Sequence, residues 1–363
     1  MTTRGPTTEL RRGWTTGACA TAAAVAAYRA LLTGGFADGA ITITLPRGQE
    51  PTFDLVRREI ADGRATASVI KDAGDDPDVT HGCEVVVTVT PGPAGSGVTF
   101  RAGDGVGTVT LPGLPLQVGE PAVNPAPRAM IRAAIAAIAA ELGDAGDLVV
   151  TIAIPGGQEM AAKTMNGRLG ILGGLSVLGT TGVVIPYSCA SWIHSIHRGV
   201  DVARGQGIDH LIAATGSTSE QAARERYGAR EQALIDMGDF AGGLLKYLRS
   251  HPVPRLTLAG GFAKLAKLGQ GHLDLHSSRS SLDMGRLADL AAPLGADAAD
   301  RRAITGANTG LAALEHARRR HLPLAHAVAR SARETALATL SGGTRVEVLV
   351  YDRQGCEVGH AGF

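Results

Sequence analysis

Ile208-Asp-His-Leu-Ile-Ala-Ala-Thr-Gly-Ser-Thr-Ser-Glu220 decides the fold of the second half of the chain. The apolar run over 208–215 reads as a buried strand, and Gly216 breaks it. Ser217 and Glu220 have the spacing of a capping box opening a helix to Tyr227. The same order then recurs twice. A strand over 233–237 leads through Gly238-Asp-Phe240 into a helix ending at Arg249, and a strand over 255–259 leads through Gly260-Gly-Phe262 into a helix through Lys267. Three strand–glycine turn–helix units in succession predict a parallel sheet with right-handed crossovers. Helices over 282–290, 308–320 and 323–340 and a last strand over 344–351 complete this half.

An open parallel sheet binds ligands outside the carboxyl ends of its strands. Segments 216–220, 238–240 and 260–264 therefore share one rim. Asp239 lies about twenty residues past the first turn, where an acid holds ribose hydroxyls in doubly wound nucleotide sites. The first turn carries one glycine, so the pyrophosphate fingerprint is absent. A cofactor with a ribose and no pyrophosphate fits better, and S-adenosylmethionine is one. The cofactor-binding candidates are Gly216, Ser217, Thr218, Asp239 and Gly260.

The first half reads differently. Short strands are predicted over 40–45, 53–59, 64–70, 84–90 and 148–154, with a hairpin from 98–101 and 107–111. The hairpin turn, Gly103-Asp-Gly-Val-Gly107, leads into Thr-Val-Thr and not a helix, which rejects a dinucleotide fingerprint. A helix over 18–32 follows the cap residues Thr15 and Thr16, and its alanine face implies that something packs very close. Its start is either an ordinary cap or an anion site. A second helix over 128–142 aligns Ile131, Ile135, Ile138 and Leu142, with Pro127 at its start.

Between two of these strands lies Lys71-Asp-Ala-Gly-Asp-Asp-Pro-Asp-Val-Thr-His81. Three readings stay open: a solvated acidic turn, a hard-metal site, or a catalytic cluster. In the last, crowded carboxylates raise one another's pKa until one accepts a proton near neutral pH, with Lys71 offsetting the charge. The calcium-loop spacing is absent.

A long glycine-rich loop over 155–182 carries Lys163, Asn166 and Arg168. Gly174-x-x-x-x-Gly179-Thr-Thr nearly fits a P-loop, but Thr180 stands where the phosphate-binding lysine belongs, which argues against a nucleotide triphosphatase. The glycines admit either a bulky ligand or tight chain packing. On a helix over 189–204, His194 and His197 are three apart with no third ligand in view, so solvated or core histidines are favoured over a metal.

Composition bounds the function. The 363 residues suffice for two domains, divided here as 1–200 and 201–363. The net charge of +1 and 4% aromatic content argue against a nucleic-acid binder. The four cysteines, Cys19, Cys83, Cys189 and Cys356, form no metal-ligand spacing and read as free thiols of a reducing compartment. The polar, arginine-bearing first dozen residues and the alanine-rich stretch after them have neither signal-peptide shape nor membrane-spanning length, so a soluble cytoplasmic protein is expected.

Several stretches together resemble the CbiD family, the cobalt-precorrin-5B C(1)-methyltransferases of anaerobic cobalamin biosynthesis. They are Arg12-Gly-Trp-Thr-Thr-Gly-Ala-Cys-Ala20, Val69-Ile-Lys-Asp-Ala-Gly-Asp-Asp-Pro-Asp-Val-Thr80, Gly119-Glu-Pro-Ala-Val-Asn-Pro-Ala-Pro-Arg128, Lys163-Thr-Met-Asn-Gly-Arg-Leu-Gly170, Gly173-Gly-Leu-Ser-Val-Leu-Gly-Thr-Thr-Gly182 and Thr215-Gly-Ser-Thr-Ser-Glu220. One departure lies in the third rim turn. The family resembles Gly-His-x-Gly-Lys-Leu there, and this chain has Gly260-Gly-Phe-Ala-Lys-Leu265, with Gly261 and Ala263 at the changed positions.

The resemblance implies an N-terminal two-layer α+β domain and a C-terminal Rossmann-like parallel-sheet domain. It implies methyl transfer from S-adenosylmethionine to carbon 1 of a cobalt-containing anionic tetrapyrrole. The cobalt travels with the substrate, and no protein-bound metal is required. The substrate's carboxylates call for basic ligands, for which Lys71, Arg128, Lys163, Arg168 and Lys264 are the candidates. Asp72, Asp75 or Asp76 would take the proton or orient the ring. Neither a nucleic-acid nor a membrane partner is expected, and a homo-oligomer is left open. The rivals are another corrinoid-modifying enzyme of the same pathway and a non-catalytic tetrapyrrole carrier.

Overall fold

The structure is a computed structural model that describes residues 10–37 and 39–363; most of the arginine-bearing start of the chain lies outside them. The chain forms two compact units, divided between Ser188 and Cys189 and not at residue 200.

The first unit opens with β1 (Gly13–Trp14) and α1 (Thr16–Thr33). Thr15 caps α1 by accepting the Ala18 N–H, and Gly34 ends it in the left-handed region at φ +79°. Next come β2 (Ala40–Thr42), β3 (Thr52–Asp54), β4 (Arg57–Ala61), β5 (Arg64–Ile70), β6 (Glu84–Pro91), β7 (Val98–Ala102) and β8 (Thr108–Val109). They are followed by α2 (Pro125–Leu142), β9 (Leu148–Ala153), the one-turn α3 (Gly157–Ala161), β10 (Ile171–Leu172) and β11 (Val183–Val184). The main sheet has the order β4-β5-β6-β9-β7. Alternate residues of β5, β6 and β9, among them Ala65, Ala67, Val85, Val87, Val150 and Ile152, face α1 in one core. The run Ala22-Ala-Ala24 is fully buried, so α1 is a core helix packed between the sheet and α2.

Four expectations for this unit need correction. The segment over 53–59 is two strands, because the chain turns at Leu55-Val56 from β3 into the edge of the main sheet. The hairpin over 98–111 does not form. β7 instead runs parallel to β9, and β8 pairs with β10. The glycines of the intervening turn serve a crossing of chains: Gly105 sits at φ +70°, and a Cβ there would lie 1.9 Å from the Ile154 carbonyl oxygen. Helix α2 begins at Pro125 after Asn124, earlier than Pro127 suggested. Ile131, Ile135 and Ile138 are buried on it, while Leu142 is exposed.

The second unit begins with α4 (Cys189–Gly205) and continues with β12 (His210–Ala214), α5 (Ser217–Tyr227), β13 (Leu234–Asp236), α6 (Ala241–Ser250), β14 (Arg255–Gly261) and α7 (Phe262–Gly269). Helices α8 (Met284–Ala291), α9 (Ala298–Thr305), α10 (Gly310–Arg319) and α11 (Leu324–Leu340) precede β15 (Arg345–Tyr351) and β16 (Glu357–Ala361). The sheet order is β13-β12-β14-β15-β16; the first four strands are parallel and β16 is antiparallel.

The two faces of the sheet bury alternate residues: Leu211 and Ala213 join the larger core, and Ile212 and Ala214 the smaller one under α5. This is the parallel sheet that the strand–turn–helix succession predicted, in the Rossmann-like domain that the resemblance implied. Two elements escaped that reading, α9 and the edge strand β16. The capping box at Ser217 is also absent. Gly216 is the N-cap of α5, and Ser219 Oγ bonds the Gly216 carbonyl instead.

Candidate functional site

In the first unit the acidic turn between β5 and β6 clamps the segment before α1. Trp14 N–H donates to the Asp72 carbonyl at 2.7 Å, and Asp75 N–H donates to the Arg11 carbonyl at 2.9 Å. The chains cross so closely that a Cβ on Gly13 would lie 2.0 Å from the Ala73 carbonyl carbon. Each of the four aspartates has its own donor. Asp72 forms a two-pronged pair with the Arg11 guanidinium, one prong at 2.9 Å, and accepts Gly74 N–H. Asp75 accepts Arg11 N–H at 2.6 Å, and Asp76 accepts Tyr187 N–H at 2.8 Å. Asp78 pairs with Lys71 and accepts two bonds from Thr80.

For Asp72 and Asp78 this arrangement runs against the expectation of mutually raised carboxyls. The Arg11 guanidinium, with Gly74 N–H, holds Asp72 down at about 2, too weak a base to take a proton near neutral pH. Burial would raise Asp78, but Lys71 and Thr80 outweigh it and hold that carboxyl below its ordinary range. Asp75 is exposed and Asp76 half-buried. His81 Nδ1 accepts Ala73 N–H, which completes the turn.

Lys71 is not a surface ligand for an anion. It is 1% exposed, and its ammonium donates to Asp78 and to Thr80 Oγ1. Arg128 is likewise engaged, with Glu120 and the carbonyls of Val123 and Pro121 around its guanidinium. Of the basic candidates in this unit, Lys163 is exposed and Arg168 half-buried, both on the glycine-rich loop.

That loop folds back tightly. Cβ atoms on Gly157 and Gly174 would run into Gly105 backbone at 2.3 Å, and one on Gly179 would meet Thr15 Oγ1 at 2.2 Å. Chain packing therefore accounts for these glycines. The start of α1 is no anion site, because Gly17 N–H goes to the Leu178 carbonyl and Ala18 N–H to Thr15 Oγ1.

In the second unit the predicted rim segments lie side by side at the carboxyl ends of β12, β13 and β14. Lys264 ties them together: its ammonium donates to the Thr215 carbonyl at 2.8 Å and lies 3.0 Å from Asp239 Oδ1. It is thus part of the rim's frame. The Lys264–Asp239 contact is an ion pair without hydrogen-bond geometry, and buried Asp239 Oδ1 accepts no hydrogen bond. Added Cβ atoms on Gly216 and Gly261 would meet nothing within 4 Å, so the space beside both turns is open. Gly260 differs; a Cβ there would press on Thr215 Oγ1 at 2.8 Å, and its smallness serves packing.

His197 stacks on Tyr247 and contacts the Gly243 carbonyl, and burial pushes His194 below its ordinary value. Among the described residues no group of three or more His, Cys, Asp or Glu could hold a metal ion, and no helix is long and apolar enough to cross a membrane.

Sequence reasoning missed Arg11, Tyr187 and Trp192. Arg11 could have been found, because it stands beside the Gly-Trp-Thr-Thr-Gly stretch. Nothing in the sequence signals Tyr187.

A Rossmann-like unit with an acidic rim turn, joined to an α+β unit with an acidic clamp, defines a two-domain α/β protein. The family models identify which one. The CbiD model matches residues 3–186 and the model for the CbiD C-terminal domain matches residues 274–362. A Paramagnetospirillum magneticum protein named cobalt-precorrin-5B C(1)-methyltransferase is 58% identical over 97% of this chain and 98% of its own length. A Brucella anthropi protein of the same name is 57% identical over 96% of this chain and 94% of its own. A crystal structure of a cobalamin biosynthesis protein (cbiD) from Archaeoglobus fulgidus is 30% identical, with 74% of this chain and 83% of that chain covered and a TM-score of 0.40. The chain belongs to the CbiD family.

Proposed function

We propose that this protein transfers a methyl group from S-adenosylmethionine to carbon 1 of cobalt-precorrin-5B, giving cobalt-precorrin-6A in the cytoplasmic synthesis of cobalamin. The observation that carries the reading is the 58% identity, over nearly the whole of both chains, to a relative named for this methylation.

The rim of the second unit fits an adenosyl group. The Asp239 side chain, ion-paired with Lys264, is still 22% exposed at this rim, and the space beside Gly216 and Gly261 is open. Asp239 would hold the ribose, with Gly216, Ser217 and Thr218 along the first turn. When bound, S-adenosylmethionine supplies an electrophilic methyl group.

The rest of the task falls to this chain's residues. Lys163 and Arg168 bind substrate carboxylates, as charge-assisted bonds require. Asp75 and Asp76 orient the ring or receive its proton, a role that the Arg11 pairing makes less suited to Asp72. Catalysis of this kind is mostly alignment, because the ring carbon is itself the nucleophile. The cobalt is part of the substrate.

Calorimetric titration with S-adenosylmethionine and S-adenosylhomocysteine, each without and with the cobalt tetrapyrrole, tests the cofactor assignment. Binding of both supports it. Absence of binding in every arm favours a corrinoid-modifying enzyme or a carrier that uses no methyl donor.

A further inference from the structure

Trp192 is the exposed one of two tryptophans, 47% accessible on α4, whereas Trp14 packs edge-on against Phe53 at 6.0 Å. An indole that large is seldom left in water without a use. Its orientation is fixed. Nε1–H donates to the Asp236 carbonyl at 3.1 Å, at the carboxyl end of β13. The ring lies against Gly238, where an added Cβ would meet Cζ2, Cε2 and Nε1 at 3.4–3.5 Å, and Gly238 itself sits at φ +52°. Phe240 follows at a ring-centroid distance of 6.3 Å and an interplanar angle of 49°. Asp239, ion-paired with Lys264 and still partly exposed, stands in sequence between the glycine that supports the indole and the second ring.

An exposed, immobilised indole face beside a carboxylate whose side chain is still partly exposed is complementary to one chemical class: a flat heteroaromatic base carrying a hydroxylated sugar. The base covers the indole and a sugar hydroxyl donates to the exposed side of the carboxylate. We infer that Trp192, buttressed at its side by Phe240, forms the stacking face for the adenine ring of the cofactor whose ribose Asp239 holds. The inference rests on the proposed methyl transfer, since that reading supplies the adenosyl group. It adds Trp192, which neither the rim motifs nor the family resemblance singled out, and gives Phe240 of the second rim turn a supporting role.

The test uses the full-length protein, titrated with S-adenosylhomocysteine and with adenosine, by calorimetry and by indole fluorescence. The tetrapyrrole is included if it is needed for binding. The wild type is expected to bind both, with quenching of Trp192 emission. Trp192→Ala is expected to weaken both by about tenfold or more, the scale of one lost base–aromatic stack. Trp192→Phe is expected to restore most of the affinity while abolishing the quench, because Trp14 alone then emits. If the wild type binds but Trp192→Ala binds equally well, the stacking face is wrong and methyl transfer stands. If Trp192→Ala fails to fold, the comparison of wild type with Trp192→Phe decides: an undiminished quench in Trp192→Phe overturns the assignment. If the wild type binds neither probe in any arm, the methyl-transfer reading falls and the stacking face with it.

Discussion

The Asp76 carboxylate accepts the backbone N–H of Tyr187 at 2.8 Å, and Tyr187, 67% exposed as a residue, sits there at φ +56°. A bulky side chain in the left-handed region is strained by about 1–3 kcal/mol, and such strain persists only where surrounding contacts hold it. Asp76 is one such contact. The aspartate turn therefore presents a tyrosine as well as a carboxylate.

If Asp76 acts through Tyr187, its charge is dispensable and its acceptor is not. Asp76→Asn keeps an oxygen that can accept the N–H. It should retain most of its turnover, while Asp76→Ala should lose about tenfold through misplacement. The pH profile of kcat should not move in either. An Asn variant as inactive as the Ala variant, with an altered pH profile, would make Asp76 the proton acceptor instead.

Asp72 makes a pH-dependent contribution to stability. Its folded carboxyl is depressed from an ordinary 3.8 to about 2 by Arg11 and Gly74. The stabilisation is thus present above pH 3.8 and is lost as pH falls toward 2. The pair is half-exposed, so solvent screens it. Urea unfolding across this window should show a smaller acid-induced loss for Asp72→Asn than for the wild type; identical slopes would remove the pair from the account.

Lys71 is a buried cation between Asp78 and Thr80. Lys71→Met leaves the Asp78 carboxylate without its counter-charge and should cost about 3–5 kcal/mol of stability. Adding Asp78→Asn should recover a good part of that loss. A Lys71→Met protein that unfolds at the wild-type urea midpoint would contradict the structural role assigned here.

Asp239 is the acceptor on which the cofactor assignment depends. Asp239→Ala should weaken S-adenosylhomocysteine binding by about tenfold, the scale of a bond to a charged acceptor. Its urea midpoint should remain near that of the wild type. Unchanged affinity would move the ribose elsewhere on the rim.

The second unit was legible because each of its first three strands is an apolar run closed by glycine and followed by a helical stretch. Periodicity and turn chemistry there agree with the tertiary result. The rim residues Gly216, Asp239 and Gly260 could be placed together for the same reason. The edge strand β16 was not legible, since Glu357-Val-Gly-His-Ala361 becomes a strand only by pairing with β15.

The first unit was less legible because its glycines serve long-range crossings. Gly13 faces Ala73, Gly105 faces Ile154 and Gly179 faces Thr15, and none of these approaches can be read from local sequence. The acidic cluster shows the same limit. Four neighbouring aspartates look mutually repulsive until Arg11 and Tyr187 arrive from elsewhere in the chain to join Lys71, their neighbour in sequence, in pairing with them.

The most direct test of the account is a single turnover with cobalt-precorrin-5B and S-adenosylmethionine carrying a deuterated methyl group, with the product read by mass spectrometry and NMR. The account predicts one deuterated methyl group on carbon 1 of the ring and one equivalent of S-adenosylhomocysteine. A ring that is bound but unchanged in mass, or altered without acquiring the label, would contradict it.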